Sequence, residues 1–303
     1  MFRLVQRFRI RNYCTQSGTS QLVNSLASSI DGLEKETLTK LFQSAPQLAK
    51  YVPELWHRTY NLMAQEGIDT ANFLSIVTGY PEVLTRHPDR LTSSMHCWRS
   101  CQFGDRQMQV LLAAHPQLFD FTDHNQLAQR VAFLHSYFET RKNVWRLFLN
   151  CPNLVVDKEG DIRPKIDYVL QTMRIEVLEV VKSCAFVADL DLIRCRHVFL
   201  ERLGLFKPRS LKAEPGDPSS NPKLHQITDT TDKRFAVKVA FVTLEEYEAF
   251  VELYRKERDR FGEGTGDLDE EDDEYDFDDA ADEGRQERKQ KYRKKTRRNN
   301  SGR

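Results

Sequence analysis

The stretch VLLAAHPQLF, residues 110–119, carries an apolar helical run straight into a proline. Proline has no amide hydrogen, clashes with the turn before it, and pushes the preceding residue out of the helical region. A helix is therefore predicted to stop at or before His115. The same grammar recurs as KLFQSAPQLA, SIVTGYPEVL and RLFLNCPNLV, which places prolines at 46, 81, 116 and 152. Their spacings are 35, 35 and 36 residues, and 33 residues further on VVKSCAFVAD repeats the frame with Ala185 in the proline's place.

The neighbours of each anchor agree. Two residues after it stand Leu48, Val83, Leu118, Leu154 and Val187. Four and five before it stand Phe42 and Leu41, Val77 and Ile76, Leu112 and Leu111, Phe148 and Leu147, and Val181 and Val180. Eight before it stand Leu38, Phe73, Met108, Val144 and Val177. The positions ahead of the anchor form one apolar helical stripe, and a short 3₁₀ step after it returns an aliphatic side chain to the core. A second amphipathic run fills the rest of each period, as in LAQRVAFLHSYF (127–138) and KIDYVLQTM (165–173). The last of these, LIRCRHVFLERLG (192–204), closes on Gly204, a helix C-terminal signal. A helix–turn–helix repeat of this size cannot bury its apolar face alone, so the copies must stack. The predicted fold class is all-α, a solenoid of five repeats.

Charge is segregated along the chain, although the 45 basic and 45 acidic residues of its 303 cancel. Residues 263–283 hold thirteen Asp and Glu and no Lys or Arg, while 285–303 hold ten Lys and Arg against Glu287. Both blocks have almost nothing to bury and are predicted to be disordered. At the other end, Arg3, Arg7, Arg9 and Arg11 accompany many Ser and Thr, with no acid before Asp31. This Arg-rich, acid-poor amphipathic leader has the composition of an organellar transit peptide, with processing plausible after Tyr13. No run reaches the eighteen or so apolar residues of a membrane span. Five segments are expected: a leader (1–30), the solenoid (31–206), a Pro/Gly/Ser-rich linker (207–222), a helical extension (223–260) and a charged tail (261–303).

Chemistry is sparse. The chain has no Gly-rich phosphate loop, no HExxH and no GxSxG, and its histidines are scattered over different repeats, so no catalytic constellation and no cofactor site are expected. HCWRSC (96–101) sets Cys97 and Cys101 one helical turn apart without two further ligands; buried thiols are the reading, and no metal is expected. Asp189 and Asp191 stand where they can cap a helix and meet its dipole.

Function on a solenoid lies where one repeat position keeps an unusual side chain. Aligned on their C-terminal ends at Gly67, Phe138, Arg174 and Gly204, the second helices place Arg58, Arg130, Lys165 and Arg196 eight or nine residues earlier. Ser93 and Ser94 break the column in the second repeat. Stacked, these cations form a track suited to a nucleic-acid backbone. The alternative is an ordinary solvated face, because residues 14–262 hold 31 basic and 31 acidic side chains.

The periodic P-x-[LV] anchor, the 35-residue helical period and the leader together resemble the mitochondrial transcription termination factor (mTERF) family over residues 33–204. The resemblance implies two helices and a 3₁₀ helix per repeat, a left-handed half-doughnut superhelix, a basic concave face and nucleic-acid binding. Within the family, RHVFLERLG (196–204) and the TLEEY helix start at 243–247 resemble the fourth animal branch, which also ends in an acidic tail. The basic segment 285–303 departs from that pattern. That likeness implies a non-catalytic RNA-binding scaffold of the mitochondrial matrix. It would pair as a heterodimer with an NSUN-type RNA cytosine-5 methyltransferase and deliver it to large-subunit rRNA during mitoribosome assembly, supporting translation. Contacts to the enzyme would lie in the C-terminal extension, where Phe235, Val239, Phe241, Tyr247, Phe250 and Tyr254 must pack on the solenoid end or on a partner. Thr243 and Glu246 can form a capping box there. The rival readings are an mTERF-type regulator that grips duplex mitochondrial DNA, and a protein-only scaffold.

Overall fold

A break in each helix, enforced by the proline, sets the architecture. The computed structural model describes residues 16–263, apart from 31, 211, 213–215, 217 and 218, and among them it contains helices and no strand. The processing point after Tyr13 and both charged tail blocks lie outside the described residues, save Glu263 at the last helix end. The first helix, α1, spans Gln16–Ser29. Five repeats follow, each a first helix, a 3₁₀ turn and a second helix. They are α2 (Lys35–Ser44) with α3 (Pro53–Gln65), α4 (Thr70–Gly79) with α5 (Pro88–Ser100), and α6 (Asp105–Ala114) with α7 (His124–Phe138). The last two are α8 (Arg141–Asn150) with α9 (Glu159–Asp167), and α10 (Val177–Val180) with α11 (Leu190–Arg202). The second helix of the fourth repeat runs on from α9 as a π segment over Tyr168–Thr172.

Each proline acts through the residue before it. Ala45, Tyr80, His115 and Cys151 have φ between −146° and −131° and ψ between 68° and 77°. Each still donates its amide to the carbonyl four residues back, so the helix closes and the chain turns at one residue. Where Ala185 replaces proline, Cys184 relaxes to φ −94° and ψ 25° and α10 shrinks to four residues. The fifth turn also corrects an expectation. Val187 is 57% exposed, and Phe186 is buried in its place.

Helices of one kind pack in rows: α4 on α6 and α6 on α8, α3 on α5 and α5 on α7. Helix α1 packs on α2 and α3, with Leu22, Val23 and Leu26 buried. This corrects the leader boundary at residue 30, since 16–29 form a solenoid helix. Gly32 after it has φ +80°, and the second helices are followed by left-handed residues at Gly67, Gln102, Glu139, Arg174 and Gly204. Helix α1 therefore has the exit of a second helix and caps the N-terminal end of the row.

Beyond α11, Lys207 and Asn221 are clasped to one another. Asn221 accepts from the Lys207 amide at 3.0 Å and donates to its carbonyl at 2.8 Å. Then come α12 (Leu224–Thr228), α13 (Asp232–Phe235), a π turn over Ala236–Ala240, and α14 (Leu244–Glu263). Thr243 and Glu246 form the reciprocal capping box at the start of α14. The chain divides into a compact part ending at Val251, within α14, and a second part beginning at Glu252.

A left-handed conformation costs an L-residue about 1–2 kcal/mol, which glycine avoids. Gln102→Gly and Glu139→Gly are expected to raise the thermal midpoint, each stabilising by up to about 1 kcal/mol. Gly67→Ala is expected to lower it by about as much. Calorimetry of the three variants checks this.

Candidate nucleic-acid interface

Carbonyls in and just after each 3₁₀ turn lie at a break in the helical ladder. Side chains from the second helix of the preceding repeat donate to them, in places beside another donor, as at Leu118 O, which also accepts the Phe121 amide, and Phe186 O, which also accepts from Asn153 Nδ2 at 3.0 Å. Arg58 Nη2 meets Leu84 O at 2.9 Å and Arg86 O at 3.1 Å. Arg130 Nη2 meets the Asp157 carbonyl, and Lys165 Nζ meets Phe186 O at 3.3 Å. In the second repeat Ser94 Oγ lies 3.3 Å and Trp98 Nε1 3.2 Å from Leu118 O, so both add to the Phe121 amide there. Arg196 Nη1 reaches Ile227 O at 2.6 Å, while its Nη2 takes Thr230 O at 2.9 Å and Asp232 Oδ1 at 2.7 Å. Helix α12 thus occupies the place of a sixth turn.

The column is real, but its polar ends face the protein. Arg130 is only 8% exposed and Arg196 2%, and both guanidinium groups also stack on aromatic rings, Phe133 and Phe235. Desolvation lowers the pKa of Arg130, opposed by the charges of Glu159 and Asp157. Neither residue can serve as a phosphate contact without being pulled from the stack, which corrects that assignment. Arg58 and Lys165 are half-buried and each retains some solvent contact. Periodicity reveals the column; nothing in the sequence states that its acceptors are backbone carbonyls 21–34 residues away.

The C-terminal aromatics divide in the same way. Phe235, Val239 and Tyr247 are buried around Phe199 and close the end of the stack, so they are not partner contacts. Phe250 is half-buried on Phe199 at 4.6 Å between ring centres, with Arg202 over its face. Tyr254, in the second part of the chain, is half-buried. Phe241 differs. It is 76% exposed and left-handed, at φ 58° and ψ 35°. Such a conformation is costly for a bulky residue and gathers at functional positions.

Just before Phe241 the chain forms a cavity of about 580 Å³ lined by His225, Lys233, Arg234, Val237 and Lys238 among others. A sequence signal for these cations exists in DKRFAVKVAF (232–241). Phe235, Ala236, Val239 and Ala240 are buried there, while Lys233, Arg234, Val237 and Lys238 are exposed.

His197, beside Arg196, is buried and shares a 2.8 Å hydrogen bond with the Tyr168 hydroxyl while its ring abuts Phe206. Burial pushes its pKa down to about 4. Burial likewise pushes the Cys97 thiol up to about 11 and the Cys101 and Cys151 thiols up to about 12, so all three stay protonated at neutral pH. Asp189 precedes α11 but makes no capping side-chain bond, which corrects its role. No group of three metal-ligating side chains occurs among the described residues, and no described helix is long and apolar enough to cross a membrane.

Five stacked helix–turn–helix repeats held by donors from the preceding second helix define an α-helical repeat protein. The mTERF family model matches residues 6–236, and the chain belongs to the mTERF family. It is 22% identical to transcription termination factor 4, mitochondrial, of Mus musculus over 240 residues, covering 75% of this chain and 68% of that protein. It is 28% identical to transcription termination factor 1, mitochondrial, of Homo sapiens over 111 residues, covering 34% of this chain and 28% of that protein.

Two outcomes follow from this geometry. Arg196→Ala strands two carbonyls and a carboxylate, and is expected to cost about 3–5 kcal/mol in chemical denaturation, against about 1–2 for Arg58→Ala. His197 takes up a proton in the unfolded chain near pH 6.5 but in the folded one only near 4. The stability it contributes is full above pH 6.5 and is lost as pH falls toward 4, about 3 kcal/mol in all. An NMR titration with the imidazole midpoint near 6.5 would contradict this.

Proposed function

We propose that this protein is a non-catalytic RNA-binding scaffold of the mitochondrial matrix. It recruits an NSUN-type RNA cytosine-5 methyltransferase, as a heterodimer, to large-subunit rRNA and so supports mitoribosome assembly and translation. The observation that carries the reading is Phe241. Capping the stack needs Phe235, Val239 and Tyr247, which are buried, but it does not need an exposed phenyl ring held in a left-handed turn. An aromatic side chain presented at such a cost fits a partner's pocket. The mitochondrial setting is supported by the names of both relatives and by the composition of the leader. In the solenoid, Arg58 and Lys165 remain RNA contacts in this proposal; Arg130 and Arg196 act as internal struts.

A second reading, a duplex-DNA-binding regulator of mitochondrial transcription, draws on the match to transcription termination factor 1. Affinity purification of the tagged protein from mitochondria, with and without nuclease, separates the two. Recovery of an RNA methyltransferase that survives nuclease, with large-subunit proteins that do not, supports the scaffold. Nucleoid and polymerase components without the methyltransferase would replace it by the DNA reading. Phe241→Asp is expected to reduce methyltransferase recovery at least about tenfold, as for an interface hot spot. Its thermal midpoint is expected to stay unchanged.

A further inference from the structure

The cavity ahead of Phe241 has the wrong charge for a gap between packed helices. Lys233, Arg234 and Lys238 line it with exposed side chains, and His225 adds an imidazole. Two acids lie close in sequence, both exposed, and each already has partners of its own. Asp232 Oδ1 is held 2.7 Å from the buried Arg196. Asp229 accepts from the Cys184 amide at 2.8 Å and from the Thr228 hydroxyl at 2.6 Å. Asp232 is thus shared with Arg196, and the two acids offset only part of the positive charge of Arg196, Lys233, Arg234 and Lys238.

The accessible wall of the cavity is nevertheless mostly apolar. Val237 presents an exposed apolar surface between the cations, and Gln226 contributes an amide whose oxygen already accepts from the Lys223 amide. About 580 Å³ is enough for one nucleotide and too little for a duplex. The geometry points to a binding site for one unstacked nucleotide of single-stranded RNA, with its flanking phosphates on Lys233, Arg234 and Lys238 and its base against Val237 and the His225 ring. Cations that track a backbone beside an apolar face are the combination that single-stranded recognition uses. An acidic peptide would use the cations but leave the apolar wall and the amide without a role. This inference rests on the RNA-binding reading above and assigns it a site outside the solenoid column.

The test uses the full chain and a fluorescent single-stranded RNA of about twelve nucleotides, titrated at several salt concentrations. Each phosphate contact contributes about 0.7 to the salt slope. The variant K233Q/R234Q/K238Q is expected to lower the slope by about 2 and to weaken binding about tenfold to a hundredfold near 0.1 M salt. All three side chains are exposed, so its thermal midpoint is expected to match the parent's. Should it melt early, Lys238→Gln alone reads the same quantity, at a slope change of about 0.7. A duplex of the same sequence is expected not to compete.

Unchanged RNA affinity and slope in the variant, with the parent binding RNA, overturns the cavity site and leaves the proposed function standing. A parent that binds no RNA removes both. Unchanged RNA binding with lost methyltransferase recovery makes the cavity a protein-docking surface, which also overturns the inference. An equal loss in K35Q/K40Q/R106Q, whose cations lie in other repeats, would reduce the effect to net charge and overturn it as well.

Discussion

A proline-broken helix strands carbonyls, and this protein is organised around supplying donors for them. Four of the five 3₁₀ turns end in an extended residue, Val156 after the fourth being helical, and the second helix of repeats one and two then begins at Pro53 or Pro88, which has no amide to offer. A buried carbonyl left unpaired costs about 1–3 kcal/mol, so side-chain donors matter most at carbonyls such as Leu84 O and the Asp157 carbonyl. The preceding second helix supplies them from the same helical position every time, through arginine, serine or lysine. In the second repeat the serine shares its carbonyl with Trp98 and with the Phe121 amide.

This constraint explains why the repeat was legible and its chemistry was not. The anchor prolines and the apolar stripe at −8, −5 and −4 translate directly into buried side chains such as Phe73, Ile76 and Val77, because helical periodicity and burial are local consequences of spacing. The cation column was equally visible, yet its meaning depends on what faces it one repeat away. A long basic side chain looks the same in sequence whether it ends in solvent or on a carbonyl. The left-handed exits show a related limit: glycine marks them at 67 and 204, whereas Gln102, Glu139 and Arg174 hide the same geometry behind ordinary residues. Helix α1 was missed because its Ser- and Thr-rich composition matches a leader, while its burial against α2 and α3 is tertiary.

The same logic accounts for a neutral body in a family whose name implies contact with nucleic acid. Cations used as internal donors keep their charge but have few donors left to offer, so counting them overstates the direct contacts available to a partner. What matters is where carboxylates are sequestered. Arg86 is paired with Asp120 at 2.7 Å and Arg99 with Glu66 at 2.7 Å, between neighbouring repeats. These pairs consume equal numbers of both signs and leave the solenoid's field to residues outside them.

At the C-terminal end the balance tips. Arg196 is the last strut of the stack, and it alone binds a carboxylate as well as carbonyls. Holding Asp232 inward keeps the strut neutral in a buried site, where an unpaired guanidinium would be costly. The same carboxylate is 61% exposed and adjoins Lys233, so it is divided between the strut and the cations of the same short segment, Lys233, Arg234 and Lys238. The pairing that seals the solenoid's end therefore also moderates the charge of the cavity beside Phe241. A substitution at Asp232 would weaken the cap by leaving the buried Arg196 without its carboxylate, and would make the region around the cavity more positive rather than less.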